Sequence, residues 1–180
     1  PTFYGRCAMF PKNYYKLMAE YNKWMDTKIY SVCLEIPDEL RKKDLGAFFK
    51  SIHSTLNHIY YGDLAWIERL RDNKFTPRQI DKDLFANFDE LQTAQEKMDS
   101  EILEWAQSLT PEILNQSFDY VSNVENFRRK LPIWVLATHM FNHQTHHRGQ
   151  ITTLIKQLGY EPGITDIPWT PCLEDNSLTE

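Results

Sequence analysis

The chain has 180 residues, a usual length for one domain, and its 42% hydrophobic and 25% charged residues are typical of globular proteins. Its formal net charge of −5, from 20 basic and 25 acidic residues, argues against a nucleic-acid partner. Because no apolar run could span a bilayer and the three cysteines form no CxxC pair, we expect no membrane partner and a cytoplasmic location.

Two segments in the first half of the chain carry apolar residues at the three- and four-residue spacing of amphipathic helices. The first stripe extends from Tyr14 to Ile36, and Pro37 predicts its end because proline cannot continue a helix. The second segment extends from about residue 45 to Leu70. Its predicted inward face consists of Phe48, Ile52, Leu56, Ile59, Asp63, Ile67 and Leu70.

Two further helical patterns occupy the second half of the chain. The third stripe extends from Phe88 to Leu109 and includes Gln95, and the following Pro111 predicts its end. The fourth pattern begins near Pro132, because proline suits the first turn of a helix. It ends at Gly159, a residue suited to the left-handed position that follows a helix.

The segments outside these four patterns are short or irregular. Residues 118–121 and 127–131 flank a polar stretch at 122–126, which fits either a small hairpin or an irregular loop. Prolines after Gly159 predict an irregular tail from about residue 160. Four amphipathic helices with little strand pattern predict one all-α domain over residues 1–180, an antiparallel four-helix bundle with long connecting loops.

All six histidines lie in the second and fourth predicted helices. At about 100° per residue, His143 and His147 lie on the apolar face of the fourth helix, one turn apart. Buried imidazoles need polar partners, because an unpaired buried polar group costs roughly 1–3 kcal/mol. A metal ion would satisfy both rings, and hydrogen bonds to carboxylates or backbone carbonyls are the alternative. His139 and His146 lie on the flank, where they support the ligands, line a pocket or face solvent.

A third metal ligand has to come from another helix, and the second helix offers His53 and His58. His58 shares its flank with four small residues: Ser51, Thr55, Gly62 and Ala65. Small side chains leave room for a cavity or for a close helix crossing, whereas His53 has no such stripe. We therefore predict His58, His143 and His147 as ligands of one divalent transition metal, with His53 as the alternative to His58.

Two common metal motifs do not fit this chain. A zincin needs HExxH, but Gln144 occupies the position of the glutamate, and an amide cannot act as a general base. A di-iron bundle needs Glu-x-x-His twice, and no histidine here has a glutamate three residues before it.

The run HMFNHQTHHRGQ at residues 139–150 resembles the signature of the DinB-like (DinB/YfiT) family. Residues 56–59, LNHI, followed by Asp63 and Trp66, fit the same family, as do residues 158–160 and 166–168. The resemblance extends from about residue 14 to residue 169, although the first and third helices match only as amphipathic patterns.

The resemblance implies that the same three histidines bind zinc or nickel in an up-up-down-down four-helix bundle that forms homodimers. Some members of the family are transferases or isomerases that use low-molecular-weight thiols, and many have no known activity. The resemblance therefore implies an external small thiol as a co-substrate and predicts the metal site better than the reaction.

Three neutral imidazoles leave a divalent ion with an open position, which is typical of catalytic sites rather than structural ones. The sequence therefore favours a metal-dependent thiol S-transferase or hydrolase acting on a small-molecule substrate. A metal-binding stress-response or scaffold protein without turnover is the alternative.

Three further residues near the histidines have open roles. Asp63 either orients a ligand histidine or makes hydrogen bonds in the core. Gln150 could hydrogen-bond a ligand histidine or a substrate. Gly149 costs a helix about 1 kcal/mol relative to alanine, so it predicts the close approach of another backbone, within the chain or across a dimer.

Overall fold

Four long helices form a bundle in the computed structural model, which describes residues 13–74, 76–80, 82–121 and 128–174. The long helices are α1 (Tyr14–Glu35), α3 (Ile52–Leu70), α4 (Phe88–Ser108) and α6 (Ile133–Gln157). Two single-turn helices, α2 (Asp38–Arg41) and α5 (Pro111–Leu114), lie in the connections. The predicted all-α four-helix bundle is confirmed. No helix in the described ranges is long and apolar enough to cross a membrane.

The second long helix starts later than predicted. Residues 45–51 are not helical, because Gly46 and Lys50 adopt left-handed backbone angles, with φ of +77° and +66°. Helix α3 begins after Ser51, whose hydroxyl oxygen accepts a hydrogen bond from the backbone N–H of Ser54. Phe48, predicted on the inward face, is 83% exposed, so the prediction for residues 45–51 is wrong.

The ends of the other long helices follow local signals. Helix α4 is capped by Asn87, whose side-chain oxygen accepts hydrogen bonds from the backbone N–H groups of Asp89 and Glu90. Helix α6 begins directly after Pro132, and Gly159 follows its last turn with a φ of +88°, as predicted.

A two-stranded hairpin connects α5 to α6. Strand β1 (Ser117–Val121) pairs antiparallel with β2 (Arg128–Pro132), and Ser117 lies opposite Pro132. Of the two alternatives for this segment, the hairpin is confirmed, while its polar stretch at residues 122–126 and the following Phe127 lie outside the described residues. The predicted irregular tail contains only two short 3₁₀ turns, Ile167–Trp169 and Pro171–Leu173, within its described part.

The directions of the helices follow from which of their ends pack together. One apolar cluster joins Tyr15 at the start of α1 to Trp105 near the end of α4 and to Ala137 at the start of α6, and it includes Ile67 near the end of α3. Helices α1 and α6 therefore run in one direction, and α3 and α4 run in the other. The order is up-down-down-up, so the up-up-down-down order implied by the resemblance is wrong.

The long connection between α3 and α4 is a consequence of this order. Because the two helices are parallel neighbours, residues 71–87 must return the chain along the length of α3, about 28 Å. An extended segment of this length reaches that far easily. Asn57 holds the returning chain beside the start of α3, since its amide donates to the carbonyl of Phe85 at 3.1 Å and accepts from its N–H at 2.9 Å.

Candidate metal centre

Three histidines from two antiparallel helices converge at the wall of the bundle. His58 comes from α3, and His143 and His147 come from successive turns of α6. The Nε2 atom of His143 lies 3.0 Å from that of His58 and 3.1 Å from that of His147. The structure thus brings together the three histidines predicted as ligands.

Gly62 makes room for the central ring of this cluster. A Cβ atom at position 62 would lie 2.8 Å from Cε1 of His143 and 3.0 Å from its Nδ1, which is closer than van der Waals contact allows. Gly62 belongs to the stripe of small residues that distinguished the flank of His58 in the sequence. Its lack of a side chain lets the His143 ring lie against the backbone of α3.

Gln150 orients the His147 ring. Its Oε1 atom lies 2.8 Å from Nδ1 of His147. Because an amide oxygen only accepts hydrogen bonds, Nδ1 carries the proton and Nε2 presents a lone pair to the other two rings. This contact answers the question that the sequence left open for Gln150. It is the kind of supporting hydrogen bond that metal-ligating histidines usually have.

Burial keeps the three rings neutral. It lowers the pKa of His58 to about 4 and that of His143 to about 3, and the neighbouring rings act in the same direction. Burial also lowers the pKa of His147. Neutral imidazole is the form that binds a metal ion, so the rings are in that form at pH 7 without further adjustment.

The cluster fits a transition metal better than it fits a hydrogen-bonded triad. A neutral His143 has at most one proton on Nε2, which can link it to His58 or to His147 but not to both. Zinc–nitrogen bonds of about 2.0–2.1 Å in a tetrahedral site place ligand nitrogens about 3.3 Å apart, close to the observed 3.0 and 3.1 Å. A single ion could therefore accept all three lone pairs.

The remaining histidines do not join the cluster. His53 is buried on another face of α3, where its Nε2 lies 2.9 Å from the carbonyl oxygen of Phe85. His139 and His146 both line a cavity beside the three rings, which supports the pocket-lining alternative. The ring of His139 lies against Trp66, with centroids 5.2 Å apart.

A layer of buried polar side chains crosses the bundle behind the histidines. Asp63 accepts hydrogen bonds from the amides of Gln95, at 3.0 Å, and Gln144, so of its two alternatives the core hydrogen bond is the one observed. The full layer comprises Asn22, Asp26, Asp63, Gln95, Asp99, Gln144 and Arg148. Burial raises the pKa of Asp63 to about 7, and the negative charge of Asp26 adds to this effect. Asp63 and Gln95 interrupt otherwise apolar stripes, which is the sequence signal for this layer.

The cavity beside the cluster has a volume of about 820 Å³ and mainly aromatic walls. Phe49 stacks on the His58 ring, with centroids 3.9 Å apart and planes inclined by 22°. Its role was missed because residues 45–51 were predicted to be helical. Arg69 and Tyr120, which also line the cavity, gave no recognisable sequence signal.

Comparison with known proteins gives two findings. The model of the DinB family matches residues 9–178 of the chain. Protein DinB of Bacillus subtilis (strain 168) is 29% identical over 153 residues, which cover 82% of this chain and 87% of that protein. The range matched by the family model includes all six histidines and the two helices that carry them, α3 and α6.

Proposed function

The chain belongs to the DinB family, and we propose that it binds one divalent transition metal ion, zinc or nickel, through His58, His143 and His147. The observation that carries the proposal is the convergence of the Nε2 atoms of two buried histidines and one partly buried histidine, with adjacent pairs 3.0 and 3.1 Å apart. The lowered pKa values of the three rings support it, because protons compete only weakly for these nitrogens.

We further propose that the site is catalytic and acts on a small molecule. An ion held by three neutral imidazoles would supply a Lewis acid with an open position, at which a small thiol or water could be activated. The adjoining cavity of about 820 Å³ is within the size range of small-molecule sites and gives a substrate access to that position. This access favours a thiol S-transferase or hydrolase over a metal-binding scaffold.

A thiol in this reaction would come from outside the described part of the chain. Both cysteines there, Cys33 and Cys172, are buried. Burial raises the pKa of Cys33 to about 12, which keeps its thiol protonated and unreactive. A low-molecular-weight thiol entering through the cavity is therefore the proposed co-substrate.

We also propose that the protein is a homodimer with Gly149 at the interface. Gly149 is exposed on α6, and a Cβ atom there would meet nothing within 4 Å among the described residues. No close approach of another part of the described chain therefore accounts for it. A second copy packing its backbone against α6 would explain the glycine, and sedimentation of the purified protein measures the oligomeric state directly.

The decisive experiment is metal analysis of protein purified without a histidine tag. The wild type is expected to contain about one zinc or nickel ion per chain. His143→Ala and His147→Ala are expected to contain almost none, because a three-ligand site loses most of its metal affinity when one ligand is removed. His146→Ala is the matched control, because His146 is an exposed histidine of the same helix. Equal metal content in all four proteins would contradict the assignment.

Activity is tested separately with a small thiol and an electrophile. The zinc-loaded wild type should conjugate cysteine or glutathione to monochlorobimane faster than His143→Ala does. If the protein binds metal but neither conjugates the thiol nor hydrolyses ester substrates, the metal assignment stands and the catalytic proposal is overturned.

A further inference from the structure

Two phenylalanines occupy the centre of a tight turn at the rim of the cavity. The backbone N–H of Lys50 donates to the carbonyl of Ala47 at 2.8 Å, which places Phe48 and Phe49 in the two middle positions. Glycine, proline, asparagine, aspartate and serine normally dominate such turns. Lys50 adopts a left-handed φ of +66°, which is uncommon for a residue other than glycine. The turn therefore carries apolar rings where polar residues are usual.

The two rings of this turn have different surroundings, although both line the cavity. Phe49 is half-buried and stacks on His58. Phe48 touches Phe49 edge-on, with centroids 4.8 Å apart, but its side chain remains 83% exposed. A phenylalanine in water forgoes the stabilisation that burial would give it. An exposed apolar surface beside a cavity indicates a surface that a bound molecule covers.

A second group of aromatic side chains lies further along α3. The ring of Trp66 packs edge-on against Tyr120, with centroids 5.6 Å apart, and both line the cavity. At 1.5 Å per residue, Trp66 lies about 12 Å along the helix from His58. Between these two positions, the small residues Gly62 and Ala65 line the cavity. The cavity thus has aromatic rings towards both ends and room between them for a flat body.

The described walls of the cavity provide little for a charged ligand to pair with. Arg69 is the one arginine, lysine, aspartate or glutamate among the described residues that line it. Its side chain is only 6% exposed, its Nη1 donates to the carbonyl of Ala65 at 2.9 Å, and its guanidinium lies 5.2 Å from the ring of Trp66. The guanidinium is therefore engaged within the protein. A charged ligand would lose its hydration here without gaining a partner, which favours a neutral one.

We propose that the cavity binds a neutral, planar aromatic molecule, whose ring system lies between the turn and Trp66 and is covered on one side by Phe48. Aromatic rings in contact gain free energy beyond that of the area they bury, so such a ligand fits these walls better than a saturated one. This inference rests on the proposed function, because it names the class of small molecule on which that site acts.

The test uses four probes of similar size. The neutral aromatic probe is 2-naphthamide, and decahydronaphthalene-2-carboxamide is its saturated counterpart. The anion 2-naphthoate and the cation 2-naphthamidine carry opposite charges on the same aromatic ring system. Titration calorimetry on wild type, both zinc-loaded and treated with a chelator, should give at least fivefold tighter binding of 2-naphthamide than of the saturated amide. In the chelator-treated protein, where no ion can bind a carboxylate, both charged probes should bind at least tenfold more weakly than 2-naphthamide.

Variants of Phe48 assign the preference to the turn. Phe48→Ala should bind 2-naphthamide at least fivefold more weakly and should fold normally, since this side chain is 83% exposed. Phe48→Leu keeps an apolar side chain but should lose much of the preference for the aromatic over the saturated amide. Trp169→Ala is the matched control, because it removes an aromatic side chain that is 57% exposed and does not line the cavity. Its affinity for 2-naphthamide should equal that of the wild type.

The outcomes separate this inference from the metal assignment. Equal binding of the two amides by the wild type, or tighter binding of either charged probe after chelator treatment, would overturn the aromatic site even if one metal ion per chain is present. Equal effects of Phe48→Ala and Trp169→Ala would also overturn it. Loss of a dimer in Phe48→Ala with unchanged probe binding would assign this side chain to a subunit interface and refute the proposal. Protein that holds no metal but keeps the preference for 2-naphthamide would support this inference and overturn only the metal assignment.

Discussion

Replacing Gly62 by alanine should damage the metal centre without damaging the fold. The new Cβ would lie 2.8 Å from Cε1 of His143, whereas carbon atoms in contact are normally about 3.5–4.0 Å apart. The His143 ring would have to move by about 0.7 Å or more. Metal–nitrogen distances in good sites vary by only about 0.2 Å, so after this displacement the three Nε2 atoms can no longer all lie at bonding distance from one ion.

The fold should tolerate the change, because alanine is more favourable than glycine inside a helix by about 1 kcal/mol. We expect Gly62→Ala to bind zinc at least tenfold more weakly than the wild type in a competition with a chromogenic chelator. The melting temperature of the zinc-free variant, followed by circular dichroism, should stay close to that of the zinc-free wild type. Zinc affinity equal to that of the wild type would refute the role assigned to Gly62.

Gly149→Ala is the matched control for this experiment. The substitution is the same, in the helix that carries His143 and His147, but the added Cβ has open space around it among the described residues. We expect this variant to retain its zinc affinity even if it weakens the proposed dimer, because no ligand side chain of this chain lies within 4 Å of the added Cβ. A similar loss of zinc in both variants would mean that the effect comes from helix propensity or flexibility and not from the contact between Gly62 and His143.

Two further predictions concern metal removal and pH. Stripping the ion with a chelator should lower the free energy of unfolding by about 2.7 kcal/mol relative to protein with free metal at 100 times its dissociation constant, because the site bridges α3 and α6. An unchanged urea midpoint would contradict this. In the metal-free protein, His58 takes up a proton near pH 6.5 when the chain is unfolded but only near pH 4 when it is folded. Its neutral form therefore contributes about 3 kcal/mol to the free energy of unfolding above pH 6.5, and this contribution is lost as the pH falls towards 4. His58→Gln should lack this loss in urea titrations between pH 7 and 4, and parallel curves for the two proteins would exclude it. Asp63, with its raised pKa of about 7, acts in the opposite sense in both proteins and cancels in the comparison.

Several elements of the fold could be read from local patterns. The apolar stripes of α1, α4 and α6 predicted helices at nearly the observed positions, and Gly159 marked the end of the last one. Periodicity around the helices also placed His143 and His147 on one face. The small residues beside His58 distinguished it from His53, and the structure brings His58 to the cluster while His53 binds the carbonyl of Phe85.

Other features could not be read in this way. The positive φ angles at Gly46 and Lys50 end the helical pattern early and leave Phe49 free to stack on His58. An apolar run such as residues 45–49 looks the same in sequence whether it continues a helix or forms the edge of a cavity. Arg69 likewise gave no signal, because a lone arginine near the end of a helix is usually a surface residue.

Helix periodicity determined which side of each helix faces inward, and with it the histidine pair, the small-residue stripe and the helical class of the fold. It carries no information about the direction of a neighbouring helix or its shift along the axis. Those two quantities decided the up-down-down-up order, the meeting of Gly62 with His143, and the hydrogen bonds from Gln95 and Gln144 to Asp63. They depend on the long connections and on how whole helix surfaces pack, because each contact joins residues far apart in the chain, and only the tertiary structure contains them.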